Sequence, residues 1–158
     1  MTDRDFFVLR RVQPFLNGLI DGSLSTIAPI FTIAIATHKP YDAFLAGTAT
    51  AIAAGISMTF AEALSDTGEV TGRGNPAIRG GITGLGTFLG GILHTLPFLI
   101  PEYHAALAAA AIVVGVEMLI IPVLRWRFLE TSFGRSLVMV SIAGVIIAGV
   151  SVALGTSG

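Results

Sequence analysis

Apolar residues run along this chain in long, nearly unbroken stretches. Five stand out: Pro14–Thr37, Tyr41–Ser65, Ala77–Ile100, Tyr103–Leu124 and Gly134–Gly155. Each approaches the roughly 20 residues that a helix needs to cross a bilayer. The polar breaks between them carry helix punctuation. His38-Lys39-Pro40 closes the first stretch, and Gly72-Arg73-Gly74-Asn75-Pro76 separates the second from the third. Pro101-Glu102 divides the third from the fourth, which Arg125-Trp126-Arg127 follows. No segment alternates apolar and polar residues as a lipid-facing barrel strand must. The pattern predicts an all-α integral membrane protein with five transmembrane helices, residues 1–158 forming one transmembrane domain.

Composition narrows the picture. Charged residues make up 12% of the chain and apolar ones 53%, and the mean hydropathy is +0.83. A soluble domain carries about 25% charged residues, so a soluble fold of this size lacks the polar side chains to cover itself. The net charge of −1 excludes the concentrated basic surface of a nucleic-acid partner. With no cysteine, disulfides, thiolate metal sites and cysteine nucleophiles are excluded together. The chain has no phosphate-binding glycine loop, no H-E-x-x-H and no G-x-S-x-G. The expectation is therefore not an enzyme, and transport would run on gradients.

Sidedness follows from Lys and Arg in successive loops. Arg4, Arg10 and Arg11 precede the first stretch, Lys39 follows it, Arg73 and Arg79 follow the second, and Arg125, Arg127 and Arg135 follow the fourth. Alternate compartments thus hold eight basic residues against one, which predicts a cytoplasmic N-terminus and an external C-terminus. Ala34-Ile35-Ala36 resembles a signal cleavage site, but Asn17, Asp21 and Pro29 interrupt the apolar core that a signal requires. The first stretch is read as a permanent helix.

Three acids fall inside apolar stretches: Asp21, Glu62 and Glu117. An ionised acid at the bilayer centre costs about 2–3 kcal/mol on insertion scales. Such an acid either glues helices in its protonated form or marks an ion path. Asn17, Asp21 and Ser25 recur every four residues and share one helix face. Gly22 and Pro29 should loosen this helix, and broken intramembrane helices offer backbone carbonyls to ions. Met58, Glu62 and Asp66 repeat the same spacing, with Ser57 beside them. Carboxylates alone suit hard cations, whereas a thioether tilts a site toward softer transition metals; Met58 is otherwise a packing residue. Asp66 and Glu69 form either a cation-collecting mouth or a solvated loop paired with Arg73 and Arg79. Glu117 and the adjacent Met118 point in different directions. His94 is either a proton relay or a neutral hydrogen-bonding residue. Gly80 with Gly84, Gly86 with Gly90 and Gly144 with Ala148 permit close helix packing, within or between protomers.

The segment Asn17-Gly18-Leu19-Ile20-Asp21-Gly22, followed by Ser25, resembles the first helix of the vacuolar iron transporter family. Gly55-Ile56-Ser57-Met58, with Glu62 four residues after the Met, is similar to that family's second-helix motif. Gly90-Gly91 followed by Leu96-Pro97-Phe98 looks like its third-helix ending, and the last two helices match in position and small-residue content. The resemblance implies a homodimer of five-helix protomers that moves Fe²⁺, and often Mn²⁺, out of the cytosol in exchange for protons. Asp21, Met58 and Glu62 would line the path, with metal as substrate and no permanently bound cofactor.

The chain departs from the family where plant-type members insert long Glu- and Met-rich helices. Here only Asp66–Ile78 is available, and the thirteen residues before Pro14 are too few for the ferritin-like domain of related bacterial proteins. The expectation is a bare membrane module of a bacterial cytoplasmic membrane. It would be loaded by a separate metal-delivery protein or through Asp66 and Glu69. The rival expectations are a non-transporting membrane subunit whose buried acids pair with basic helices of a partner, and a carrier or channel for another solute.

Overall fold

A computed structural model describes residues 2–157; Met1 and Gly158, the ends of the expected domain, lie outside the described residues. Five helical rods make up the chain: α1 (Asp3–Thr37), α2 (Pro40–Ser65), α3 (Pro76–Leu93), α4 (Tyr103–Leu129) and α5 (Phe133–Gly155). Four of them, α1, α2, α4 and α5, are long and apolar enough to cross a membrane. The fold is all-α, and these four suggest an integral membrane protein.

α1 starts earlier than its apolar stretch. Thr2 caps it, its hydroxyl accepting from the Asp5 N–H while the Asp5 carboxylate accepts from the Thr2 N–H. Residues Val8–Val12 form wide π-type turns before the regular run Gln13–Ser25. The rod then breaks at Thr26 and resumes over Ile27–Thr37. Pro29 has no N–H to offer the Ser25 carbonyl, and the Thr26 hydroxyl donates to the Gly22 carbonyl at 2.7 Å. Both features bend helices.

α3 is shorter than the apolar stretch Ala77–Ile100 predicts. It ends at Leu93, and Leu96–Leu99 forms a separate 3₁₀ turn. Pro97 lacks the N–H that would bond the Leu93 carbonyl, so the helix cannot continue. α4 runs to Leu129 rather than Leu124, because Arg125, Trp126 and Arg127 continue the helix until Glu130 turns left-handed at φ 55°. Asn75, Glu102 and Ser132 cap α3, α4 and α5.

α3 is the centre of the bundle, gripped between the first half of α1 and α2. Glycine makes the grip possible. A Cβ at Gly18 or Gly22 of α1 would overlap the backbone of Thr83 or Thr87, and one at Gly86 or Gly90 of α3 would meet Phe15 and Leu19. On the opposite side, Gly80 and Gly84 face Thr59 and Gly55 of α2. Both small-residue pairs of α3 therefore serve packing within one chain. α5 lies against the second half of α1 and against α4, with Gly144 beside the Met118 sulfur. Ile30, Ala34, Ala43, Phe98, Ala106 and Ala110 form a buried cluster.

Three of the basic segments gather at one end. Arg10 Nε donates to the Gly72 carbonyl at 3.0 Å, and Arg4 pairs with Glu130 at 3.2 Å. At the other end His38 meets the Tyr103 ring, and Gly155 abuts Thr32 and Ile35. Each rod thus runs from one end of the bundle to the other, α3 included, and the start of α1 and the end of α5 lie at opposite ends.

Candidate functional site

The candidate site residues separate into three groups. The first is on α1. Asn17 and Ser25 are exposed and Asp21 is half-buried, because Gly18 and Gly22 turn the adjacent face into α3. Together with Arg125 of α4 these residues line an open cavity of about 470 Å³. Among the described residues the Asp21 carboxylate makes no hydrogen bond or ion pair within its own chain, which leaves its oxygens available to a cation, a proton or a second chain.

The second group closes the cleft between α2 and α3. Glu62 Oε1 accepts from Arg73 Nη2 at 2.7 Å and from Arg79 Nε at 2.5 Å. Asp66 accepts from Arg73 at 3.1 Å, Arg79 at 3.3 Å, the Gly68 N–H at 2.6 Å and the Thr71 hydroxyl at 3.2 Å. Arg79 also donates to the Glu62 carbonyl and the Ser65 hydroxyl. Its side chain is only 1% exposed. Two carboxylates thus hold two guanidinium groups, and a divalent cation would have to compete with Arg79 for the same oxygens. Partial burial pushes the Asp66 carboxyl up, but the Gly68 N–H, the Arg79 charge and the bonds from Thr71 and Arg73 outweigh it. Together they hold it below the ordinary carboxylate range. Met58 is half-buried one turn before Glu62, whereas Ser57 and Glu69 are exposed, and Glu69 joins no ion pair among the described residues.

The third group is the most enclosed. His94, fully buried, stands between two helices: its Nε2 lies 2.6 Å from Thr26 Oγ1 of α1, and its Nδ1 lies 2.8 Å from Glu117 Oε2 of α4. Glu117 is 7% exposed, and its other oxygen, Oε1, is buried without a hydrogen-bond partner.

The cavity that Asp21 lines includes neither Met58 nor Glu62. Among the described residues, no three His, Asp or Glu side chains converge as a metal cluster. One chain therefore offers the expected ligands as separate pieces. Arg79, counted above with the loop charges, is instead a buried counter-ion in the first turn of α3. Its one visible signal is its place after the helix-starting Asn75-Pro76. Thr26 carries no motif of its own and becomes significant only through Gly22 and His94. No protein-family model, curated protein or solved structure matches this chain.

Proposed function

We propose that the chain is a proton-coupled exporter of divalent iron or manganese, working as a homodimer in a bacterial cytoplasmic membrane with all five helices spanning. The observation that carries this reading is the uncovered Asn17–Asp21–Ser25 face. A carboxylate held part-way along an apolar rod, with polar neighbours above and below and an open cavity beside it, is costly to keep unless something occupies it. A second copy across a two-fold axis would bring two such faces together. Doubled carboxylates and amide oxygens supply the oxygen donors that a divalent cation of this kind requires. Two Asp21 groups brought close would share a proton, and arriving metal would displace it, which couples the two fluxes.

Met58 supports the softer-metal preference by ligand chemistry. Glu62 and Asp66 enter the path only in a state where Arg73 and Arg79 have moved aside. α3 is about 27 Å long at the helical rise, close to a bilayer core, and it runs the full height of the bundle, which supports counting it as a span.

The reading is tested in proteoliposomes containing a trapped metal-sensitive dye, with and without a pH gradient. Metal entry should quench the dye faster with the gradient, and Asp21→Asn should abolish the flux while circular dichroism stays unchanged. If Asp21→Asn transports like wild type, or wild type shows no flux under either condition, the reading fails. Loss of assembly with a basic partner helix on the same substitution would favour the non-transporting subunit.

A further inference from the structure

The hydrogen bonds around His94 fix more than its position. The Thr26 hydroxyl has one hydrogen, and the Gly22 carbonyl, 2.7 Å away, can only accept it. Toward His94 Nε2, at 2.6 Å, Thr26 is therefore an acceptor, and Nε2 carries a hydrogen. Nδ1 and Glu117 Oε2 at 2.8 Å must then hold one proton between them. It sits either on the ring facing a carboxylate or on the carboxyl facing a neutral ring. Without it, two lone pairs would face each other in a water-poor interior.

We propose that Thr26, His94 and Glu117 form a proton-binding site, with one exchangeable proton on the His94–Glu117 bond and a mechanical tie through Thr26 to the break in α1. The orphaned Glu117 Oε1, buried in a side chain more than nine-tenths covered, is a second acceptor on the same carboxyl with no partner of its own. Thr26 is a positioning residue: it holds the ring and, through the Gly22 carbonyl, connects it to the turn that carries Asp21. Losing the proton sets Nδ1 against Oε2 and loosens the side-chain link that joins α1, the C-terminal end of α3 and α4.

Among the described residues no other ionisable side chain is bonded to His94 or Glu117. Along α1 the only one between Val12 and Thr37 is Asp21, on the turn before Thr26. α2 has none between Asp42 and Glu62, α3 none between Arg79 and His94, and α5 none after Arg135. On α4, Glu117 is flanked by none between His104 and Arg125, the latter two turns away at the Asp21 cavity. The site itself stands on geometry, and its part in driving transport rests on the function proposed above.

The test uses the full chain in lipid with the exposed His38 and His104 replaced by Gln, so that His94 is the single histidine. ¹⁵N-edited NMR should show an Nε2–H and a far-downfield proton on the Nδ1–Glu117 bond. Glu117→Gln should remove the downfield proton, and Thr26→Val should shift the Nε2–H while keeping it. In proteoliposomes Glu117→Gln should lose the stimulation of metal flux by a pH gradient, bringing the ratio of fluxes with and without it to one. Absence of the shared proton in the single-histidine chain overturns the site, even where Glu117→Gln fails to fold. A retained gradient stimulation in Glu117→Gln overturns its role in coupling. A shared proton in a chain that moves no metal upholds the site and refutes the transport reading alone.

Discussion

Replacing Glu62 with Gln keeps the volume of the α2–α3 clamp and removes one of its two negative charges. Arg79 is buried to 1% exposure and donates to Glu62 Oε1 at 2.5 Å, while its contacts with Asp66 are longer, at 3.3 Å. Removing one partner of a buried ion pair costs about 3–5 kcal/mol, because the other charge remains desolvated. Asp66 still faces Arg79, and Glu62 and Arg73 are 13% and 21% exposed, so water reaches one side of the clamp. The expected loss is therefore at the lower end, about 3 kcal/mol. Arg79→Met should also destabilise, since Glu62 then retains Arg73 alone. The double variant should cost less than the two singles together, with a coupling of about 1–3 kcal/mol. Unfolding by denaturing detergent in mixed micelles, followed by circular dichroism, reads all four proteins. A Glu62→Gln loss under about 1 kcal/mol, the scale of an exposed pair, or strictly additive singles, would refute the clamp as a stabilising unit.

Gly22→Ala places a methyl group on the Thr87 carbonyl. It should cost about 1–3 kcal/mol by overpacking and push α1 from α3, visible as faster amide exchange in both helices. Acid should loosen the α2–α3 loop. Asp66 titrates below its ordinary value of 3.8, so its contribution is complete above that value and fades as the pH falls through the lower folded one. Amide exchange at Gly68 should rise over that range, and Asp66→Asn should show fast exchange at every pH.

Two helix ends show how far local chemistry reaches. Asn75-Pro76 and Pro97 carry their meaning in their own atoms, since the Asn75 side-chain oxygen caps the first turn and Pro97 withholds an N–H. The start of α3 was therefore legible, and so was the break in α1 near Gly22 and Pro29. The apolar stretches were legible because their length and composition alone meet a bilayer's requirement. The extent of α3 was not legible from hydropathy, which continues through Leu96-Pro97-Phe98 although the hydrogen-bond ladder cannot. Among the candidate site residues, helical spacing placed Asn17, Asp21 and Ser25 on one face, and the structure keeps them on one cavity wall.

Partnership between side chains was not legible, because it depends on which distant helices share a level. Glu62 meets Arg79 seventeen residues on, and His94 meets Glu117 and Thr26 at separations of twenty-three and sixty-eight. Whether a buried acid is a free ligand, a counter-ion or a proton site turns on such contacts, since the cost of burying its charge depends on what lies within a few ångströms. The sequence by itself determined that this chain is apolar, helical and burdened with acids. Packing α3 between α1 and α2 through glycines decided which acid was clamped by arginine, which was joined to a histidine, and which was left facing an open cavity.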